Sequence, residues 1–199
     1  RSCLKSRGLG DVYKRQLVVR AQQGDREAFE SLTLAHYTRL YRVAKSILRD
    51  RHTAEDATQQ AFIDIWRYIR RLREPSRFNG WSYRLLVHAC YAEAKRGTPR
   101  VGEVEPLSED LVSTADDYRT VADRDQLERA FRRMSLDHRT VIVLRHLLGM
   151  TPEEVADVLG VPRQTVYSRL RRAEATLRAA LEADARLPTT SAPRREVVR

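Results

Sequence analysis

The sequence predicts an all-α protein of two helical domains joined by a flexible linker, the C-terminal one built around a helix-turn-helix. Three observations predict it. Apolar residues recur every three or four positions over long stretches in both halves, which is the spacing of one helix face. Between the halves, residues 97–122 hold two prolines, two glycines and scattered serine and threonine, as a connecting segment does. Near the end, Thr151 to Arg172 reads as two short helices around a glycine turn.

The elements follow in order. Residues 1–16 contain two glycines, five basic residues and one acid without periodicity, and are expected to be a non-native or disordered segment. The first domain is expected over residues 17–96. Asp25 can cap a helix ending near Leu48, with Phe29, Leu32, Leu40, Val43, Ala44 and Ile47 on one side. Asp50-Arg51-His52 breaks it. Thr53 is the expected cap of the next helix, which places Glu55 and Asp56 in a first turn where negative charge complements the dipole. Ala54, Ala57, Ala61, Ile65 and Ile69 give that helix its apolar face. Leu72 to Ser76 is expected to be a loop, because Pro75 does not fit a helix interior and disfavours helix at Glu74. A third helix is expected from Arg77 to Arg96, stopping at Gly97. Residues 97–120 read as an acidic linker: from Glu103 to Asp125, eight acids face two arginines, a net charge of −6. The second domain is expected over residues 121–182, with helices over Val121–Met134 and Leu136–Leu148. The helix-turn-helix pair follows, its last helix reaching about Leu181. Residues 183–199 read as a disordered polar tail.

Charge narrows the partner. The 199 residues carry a formal net charge of +10, so the chain outside the acidic stretch carries +16, and nucleic acid is the first partner to expect. The hydrophobic fraction of 42% suffices for compact helical cores. No apolar run approaches the roughly 18 residues that span a bilayer. Two cysteines, Cys3 and Cys90, give neither a disulfide framework nor metal-ligand spacing. The histidines, His36, His52, His88, His138 and His146, are scattered. There is no paired-carboxylate, nucleophile or phosphate-cradling glycine motif. No enzyme activity, cofactor, metal or small-molecule substrate is therefore expected.

The C-terminal motif carries the sharpest chemistry. Thr151 is a good N-cap, Pro152 suits the first helical position, and Glu154 completes a Thr-x-x-Glu capping box. Val155, Ala156 and Leu159 form an apolar stripe, and Gly160 supplies the stop. Val166 and Leu170 bury one side of the next helix. Its other side carries Arg163, Gln164, Tyr167, Ser168, Arg171 and Arg172, residue types that reach base edges and phosphates in the major groove. The plainer alternative is a surface hairpin with a solvated basic face. A second constellation mixes cations with rings: Trp66, Arg67, Tyr68, Arg70, Arg71, Arg73, Arg77 and Phe78, then Trp81, Tyr83, Arg84 and His88. Rings stack on unpaired bases at about 1–3 kcal/mol each while arginines hold the backbone. Trp66, Phe78, Trp81 and Tyr83 would serve equally well as core.

Several separated motifs, in order, resemble those of the extracytoplasmic-function sigma factors of bacterial RNA polymerase. Ala28-Phe29-Glu30-Ser31-Leu32 and Tyr37 to Arg42 are similar to the family's opening helix. Ala54-Glu55-Asp56-Ala57-Thr58-Gln59-Gln60-Ala61-Phe62 is similar to its polymerase-binding motif. Trp81-Ser82-Tyr83-Arg84-Leu85-Leu86 is similar to the stretch after its minus-ten loop, and Thr151 to Arg172 to its minus-thirty-five reader. The resemblance covers about Leu17 to Leu181. It implies an initiation factor that binds core RNA polymerase, recognises promoter DNA and helps open it. Glu55, Asp56, Gln59, Gln60 and Asp64 are then the polymerase-binding candidates. Arg73, Ser76, Trp81, Arg84 and His88 are the candidates for the minus-ten element, and Arg163, Gln164, Tyr167, Ser168, Arg171 and Arg172 for the minus-thirty-five element. An anti-sigma factor is the implied regulator, and the cytoplasm, or the membrane when such an inhibitor is anchored there, the implied location. The chain departs from the family pattern at His88, where asparagine is frequent, at Gln60, where glutamate is common, and at Tyr167, where a basic residue is frequent. The alternative function is a stand-alone helix-turn-helix transcriptional regulator, which leaves the Glu-Asp-x-x-Gln-Gln motif and the first basic domain without a role.

Overall fold

The computed structural model describes the backbone of residues 3–97 and 121–185, with side chains for residues 12–97, 127–180 and 182. Every regular element among the described residues is helical. The linker expected over residues 97–120 lies outside them apart from Gly97, and the tail expected over residues 183–199 lies outside them from residue 186 on.

Helix α1 spans Cys3–Gln22, so from Cys3 on the segment expected to be non-native or disordered is helical, and residues 1–2 lie outside the described residues. Leu17, Val18 and Ala21 are buried and anchor its C-terminal half. Extending a nucleated helix costs little per residue, so a stretch with no periodicity of its own can continue the turn. Helix α2 spans Arg26–Leu48 under the Asp25 cap, whose side chain accepts from the Ala28 N–H at 3.0 Å. It ends at Arg49 in the left-handed conformation, φ 64°.

Helix α3 spans Arg51–Tyr68, and here the expected start is corrected. Asp50, not Thr53, is the N-cap: its carboxylate accepts from the Thr53 N–H at 2.8 Å, and the Thr53 hydroxyl donates to the same oxygen at 2.8 Å. A carboxylate facing an N-terminus gains from the dipole as well as the hydrogen bond, so it displaces the hydroxyl. Glu55 and Asp56 therefore fall in the second turn. The 3-10 turn Ile69–Arg71 precedes the loop expected over Leu72–Ser76, a second, Pro75–Arg77, takes in its last two residues because proline suits the first position of a turn, and α4 spans Phe78–Arg96. Leu32, Leu40, Ile47, Ile65, Ile69 and Leu86 are almost wholly withdrawn from water at the centre of this bundle, each worth about 1.5–3 kcal/mol.

In the second unit α5 spans Val121–Arg133 and α6 spans Leu136–Ile142, capped by Ser135. The helix expected to reach Leu148 changes at Val143 into a π-helical turn ending at Leu147. The Arg145 guanidinium closes the following bend by donating to the Met150 carbonyl at 2.9 Å. Helices α7, Pro152–Leu159, and α8, Arg163–Ala185, complete the unit around Phe131, Val141, Leu144, Val155, Val166 and Ala173.

The two units touch. Helix α4 packs on α7, and α2 packs on α6 and the π-helical turn. The Tyr91 hydroxyl on α4 donates to Asp137 Oδ1 of α6 at 2.6 Å, and Arg169 of α8 pairs with Asp137 Oδ2 at 2.6 Å. Arg49 lies 3.9 Å from Glu128 of α5.

Candidate nucleic-acid interface

The C-terminal motif folds as its residues dictate. The Thr151 hydroxyl accepts from the Glu154 N–H at 3.2 Å, and the Glu154 carboxylate accepts from the Thr151 N–H at 2.8 Å, closing the capping box. Gly160 takes φ 65°, where a side chain would cost energy, and its N–H returns to the Ala156 carbonyl. That turn swings α8 so that Val166, Leu170 and Ala173 enter the core. Arg163, Gln164, Tyr167, Ser168, Arg171 and Arg172 are all exposed on the opposite side. The Tyr167 hydroxyl rests on Glu153 at 3.3 Å, and the Ser168 hydroxyl donates to the Thr165 carbonyl at 2.9 Å. Glu153 is held below the usual carboxylate range, chiefly by its own backbone N–H, with Tyr167 and Arg163 adding to the effect. Arg169 points elsewhere: it is paired with Asp137 and takes no part in the exposed face.

The second constellation divides. Phe78 and Tyr83 are core residues, 4% exposed each, which settles the choice between core and base contact for those two rings. Phe78 packs edge-on against His36 and beside Trp81, and the Arg39 guanidinium covers the Tyr83 ring at 5.6 Å. Arg84 and His88 are exposed one turn apart on α4, Trp81 is half-buried a turn before them, Arg73 is exposed between the 3-10 turns and Ser76 is exposed within the second. Arg70, Arg71 and Arg77 are exposed in the same segment, so cations flank these residues. Glu74 is the local counter-charge, 2.6 Å from Arg77.

On α3, Asp56, Gln59, Ile63 and Trp66 follow at three and four and share a face, with Glu55 at its edge. Glu55 is tied to Arg51 at 2.9 Å. Asp64 accepts from Gln60 at 3.2 Å and lies 3.9 Å from Arg67, so these two stand in an adjoining row. The acidic candidates thus sit beside an apolar component that the sequence reading assigned no such place: Ile63 and Trp66 are 44% and 40% exposed. Trp66 lies against Phe29 with ring centroids 4.7 Å apart, and Tyr37, also exposed, stacks with Phe62 of α3. The 59–63–66 spacing was the signal that could have revealed it. Among the described residues no group of His, Cys, Asp and Glu could hold a metal, and no helix is long and apolar enough to cross a membrane. Cys90 is a free, buried thiol whose pKa burial pushes up to about 12.

A helix with an exposed cationic side, and a second helical unit carrying exposed arginines and an acid-bearing face, make up a two-unit all-helical protein with several charged candidate contact surfaces rather than a single small module. Comparison with known proteins agrees and goes further. Residues 32–99 match Sigma-70 region 2 and residues 124–177 match Sigma-70, region 4. The ECF RNA polymerase sigma factor SigM of Mycobacterium tuberculosis is 31% identical over 173 residues, covering 85% of this chain and 87% of the relative. The structure of CnrH in complex with the cytosolic domain of CnrY superposes with a TM-score of 0.63 at 25% identity, covering 86% of this chain and 99% of that one. The sigma factor RpoE in complex with the anti-sigma factor NepR from Bartonella quintana shares the fold, with a TM-score of 0.60 at 23% identity over 78% of this chain and 98% of that one. The chain belongs to the extracytoplasmic-function sigma factors, which direct core RNA polymerase to promoters for transcription initiation.

Proposed function

We propose that residues 17–96 form the unit that docks on core polymerase and captures the minus-ten element, and that residues 121–182 form the unit that reads the minus-thirty-five element in the major groove. The observation that carries this reading is the division of α8: one side is core, and all six candidate contacts on the other are open to solvent. Arginine and glutamine there suit base edges and phosphates. Arg73, Ser76, Trp81, Arg84 and His88 line the segment that receives unpaired bases, and extruding a base costs a few kcal/mol that stacking and cation contacts return. The face of Glu55, Asp56 and Gln59 docks on polymerase beside Ile63 and Trp66, with Gln60 and Asp64 at its side. An apolar centre with a charged rim is how a protein interface divides its work. The protein itself contributes binding and no catalytic chemistry. It works where polymerase does, in the cytoplasm, and an anti-sigma factor regulates it, as the RpoE–NepR complex shows for that relative.

The closed arrangement is a resting form in this reading. Arg84 of α4 lies 3.8 Å from the position a Cβ would take on Gly160 in the helix-turn-helix. The two promoter elements are separated by about 80 Å of duplex at 3.4 Å per base pair, so the units part when both are read. The test is run-off transcription by core enzyme on a genomic library, with mapping of start sites. Selective initiation that depends on this protein supports the reading, and a shift of promoter DNA by the protein without core enzyme would favour the stand-alone regulator.

A further inference from the structure

The turn between α1 and α2 reaches a place that the established activity does not explain. The Gln22 side-chain Nε2 donates two hydrogen bonds, to the Ile69 carbonyl at 3.0 Å and to the Leu72 carbonyl at 2.7 Å. These carbonyls close the 3-10 turn at the end of α3 and open the basic stretch that carries Arg73 and Ser76. The turn also closes on itself, since the Leu72 N–H donates to the Ile69 carbonyl at 3.1 Å. Gln22 thus joins chain positions 47 and 50 residues apart. Gly24, at φ 94°, ends α1 within a few residues of this contact, and a Cβ there would lie 3.3 Å from the Arg70 guanidinium. Helix α1 packs on both 3-10 turns, the one before Leu72 and the one that contains Ser76.

We propose that Gln22 is a positioning residue for minus-ten recognition: its amide clips the start of the Leu72–Ser76 segment so that Arg73 and Ser76 are aimed outward before DNA arrives. The inference rests on the assignment of that segment to the minus-ten element. The chemistry requires an amide. A primary amide nitrogen carries two hydrogens and no charge, so it satisfies two carbonyls at once. A carboxylate of the same size has no donor at neutral pH and faces both carbonyls with negative charge. A segment held in its binding conformation pays less ordering entropy when bases are captured, and loosening it weakens capture without removing any DNA contact.

The test uses holoenzyme assembled with the full chain carrying Gln22→Met, which keeps the length and loses the donors, or Gln22→Glu. The probes are a start-site fragment mapped by run-off transcription, premelted over its minus-ten element, and a duplex holding only its minus-thirty-five element. The expected result is about a tenfold loss of affinity for the premelted probe, because the released segment must then be ordered as bases are captured. The duplex affinity, binding to core enzyme and Tm of the free chain are expected to change by less than about twofold or a few degrees. Unchanged affinity for the premelted probe in both variants overturns the proposal, as does an equal loss for both probes with a fall in Tm, which would mark a general folding role. Failure of the wild-type holoenzyme to prefer the premelted probe would instead overturn the minus-ten assignment.

Discussion

At the scale of single residues, the buried polar groups have measurable consequences. His36 is 5% exposed and packs edge-on against Phe78. Burial first, and then the charges of Lys14 and Arg39, push its pKa down from 6.5 to about 4. The folded chain therefore resists a proton that the unfolded chain accepts. Between pH 6.5 and about 4 the unfolded state binds more protons, so stability falls as pH drops through that window. Urea midpoints at pH 7 and pH 5 are expected to differ by less in His36→Gln than in the wild type; an unchanged difference would show that His36 is not the titrating group. On the reading helix, Arg171→Ala is expected to weaken promoter use by the equivalent of about 1–3 kcal/mol if it removes a base contact. Run-off transcription from a minus-thirty-five-dependent start site measures it, and full activity would place Arg171 off the DNA.

At the scale of elements, the α3 face and the α7 cap can be tested separately. Asp56→Arg with Gln59→Arg reverses the charge of an exposed helix face without touching the buried Ala54, Ala57 and Ala61. Holoenzyme formation is expected to be lost while the helical signal and Tm of the free chain persist; normal co-elution with core polymerase would remove the docking assignment. Thr151→Ala takes away the acceptor of the capping box and is expected to cost about 1 kcal/mol by chemical denaturation. The element scale also shows why three expected boundaries moved. Asp50 outcompeted Thr53 as a cap, Leu17 and its buried neighbours carried α1 backward into residues without periodicity, and α6 gave way to a π-helical turn. Caps compete over one or two positions, and periodicity does not record which wins.

At the scale of the whole molecule, the two units share one continuous apolar core where α4 meets α7 and α2 meets α6, and a polar cluster marks the seam. Asp137 receives both Tyr91 from α4 and Arg169 from α8, so one carboxylate ties the first unit to the reading helix. The Tyr91 hydroxyl is pushed up to about 12 by burial and by its bond to Asp137, and remains a donor throughout the physiological range. Asp137→Ala leaves both groups without their shared acceptor. It is expected to shift the free chain toward an open arrangement, read as a lower transfer efficiency between dyes on α3 and the exposed side of α8. Wild-type chain is expected to reach the same low efficiency on joining core enzyme and promoter DNA. A high efficiency retained in the promoter complex would contradict the separation of the units.

The sequence by itself determined the helical class, the caps at Asp25 and Thr151, the stop at Gly160 and the identity of the six residues on the outer side of α8. These are local properties, set by three- and four-residue spacing, by φ at one glycine and by side chains that bond within their own turn. Only the tertiary structure decided which rings of the second constellation are core, that Ile63 and Trp66 accompany the acidic face, that Arg169 is turned inward to Asp137, and that Gln22 holds the carbonyls of Ile69 and Leu72. Each depends on a partner distant in the chain, and a contact across 47 residues leaves no period for a sequence to display.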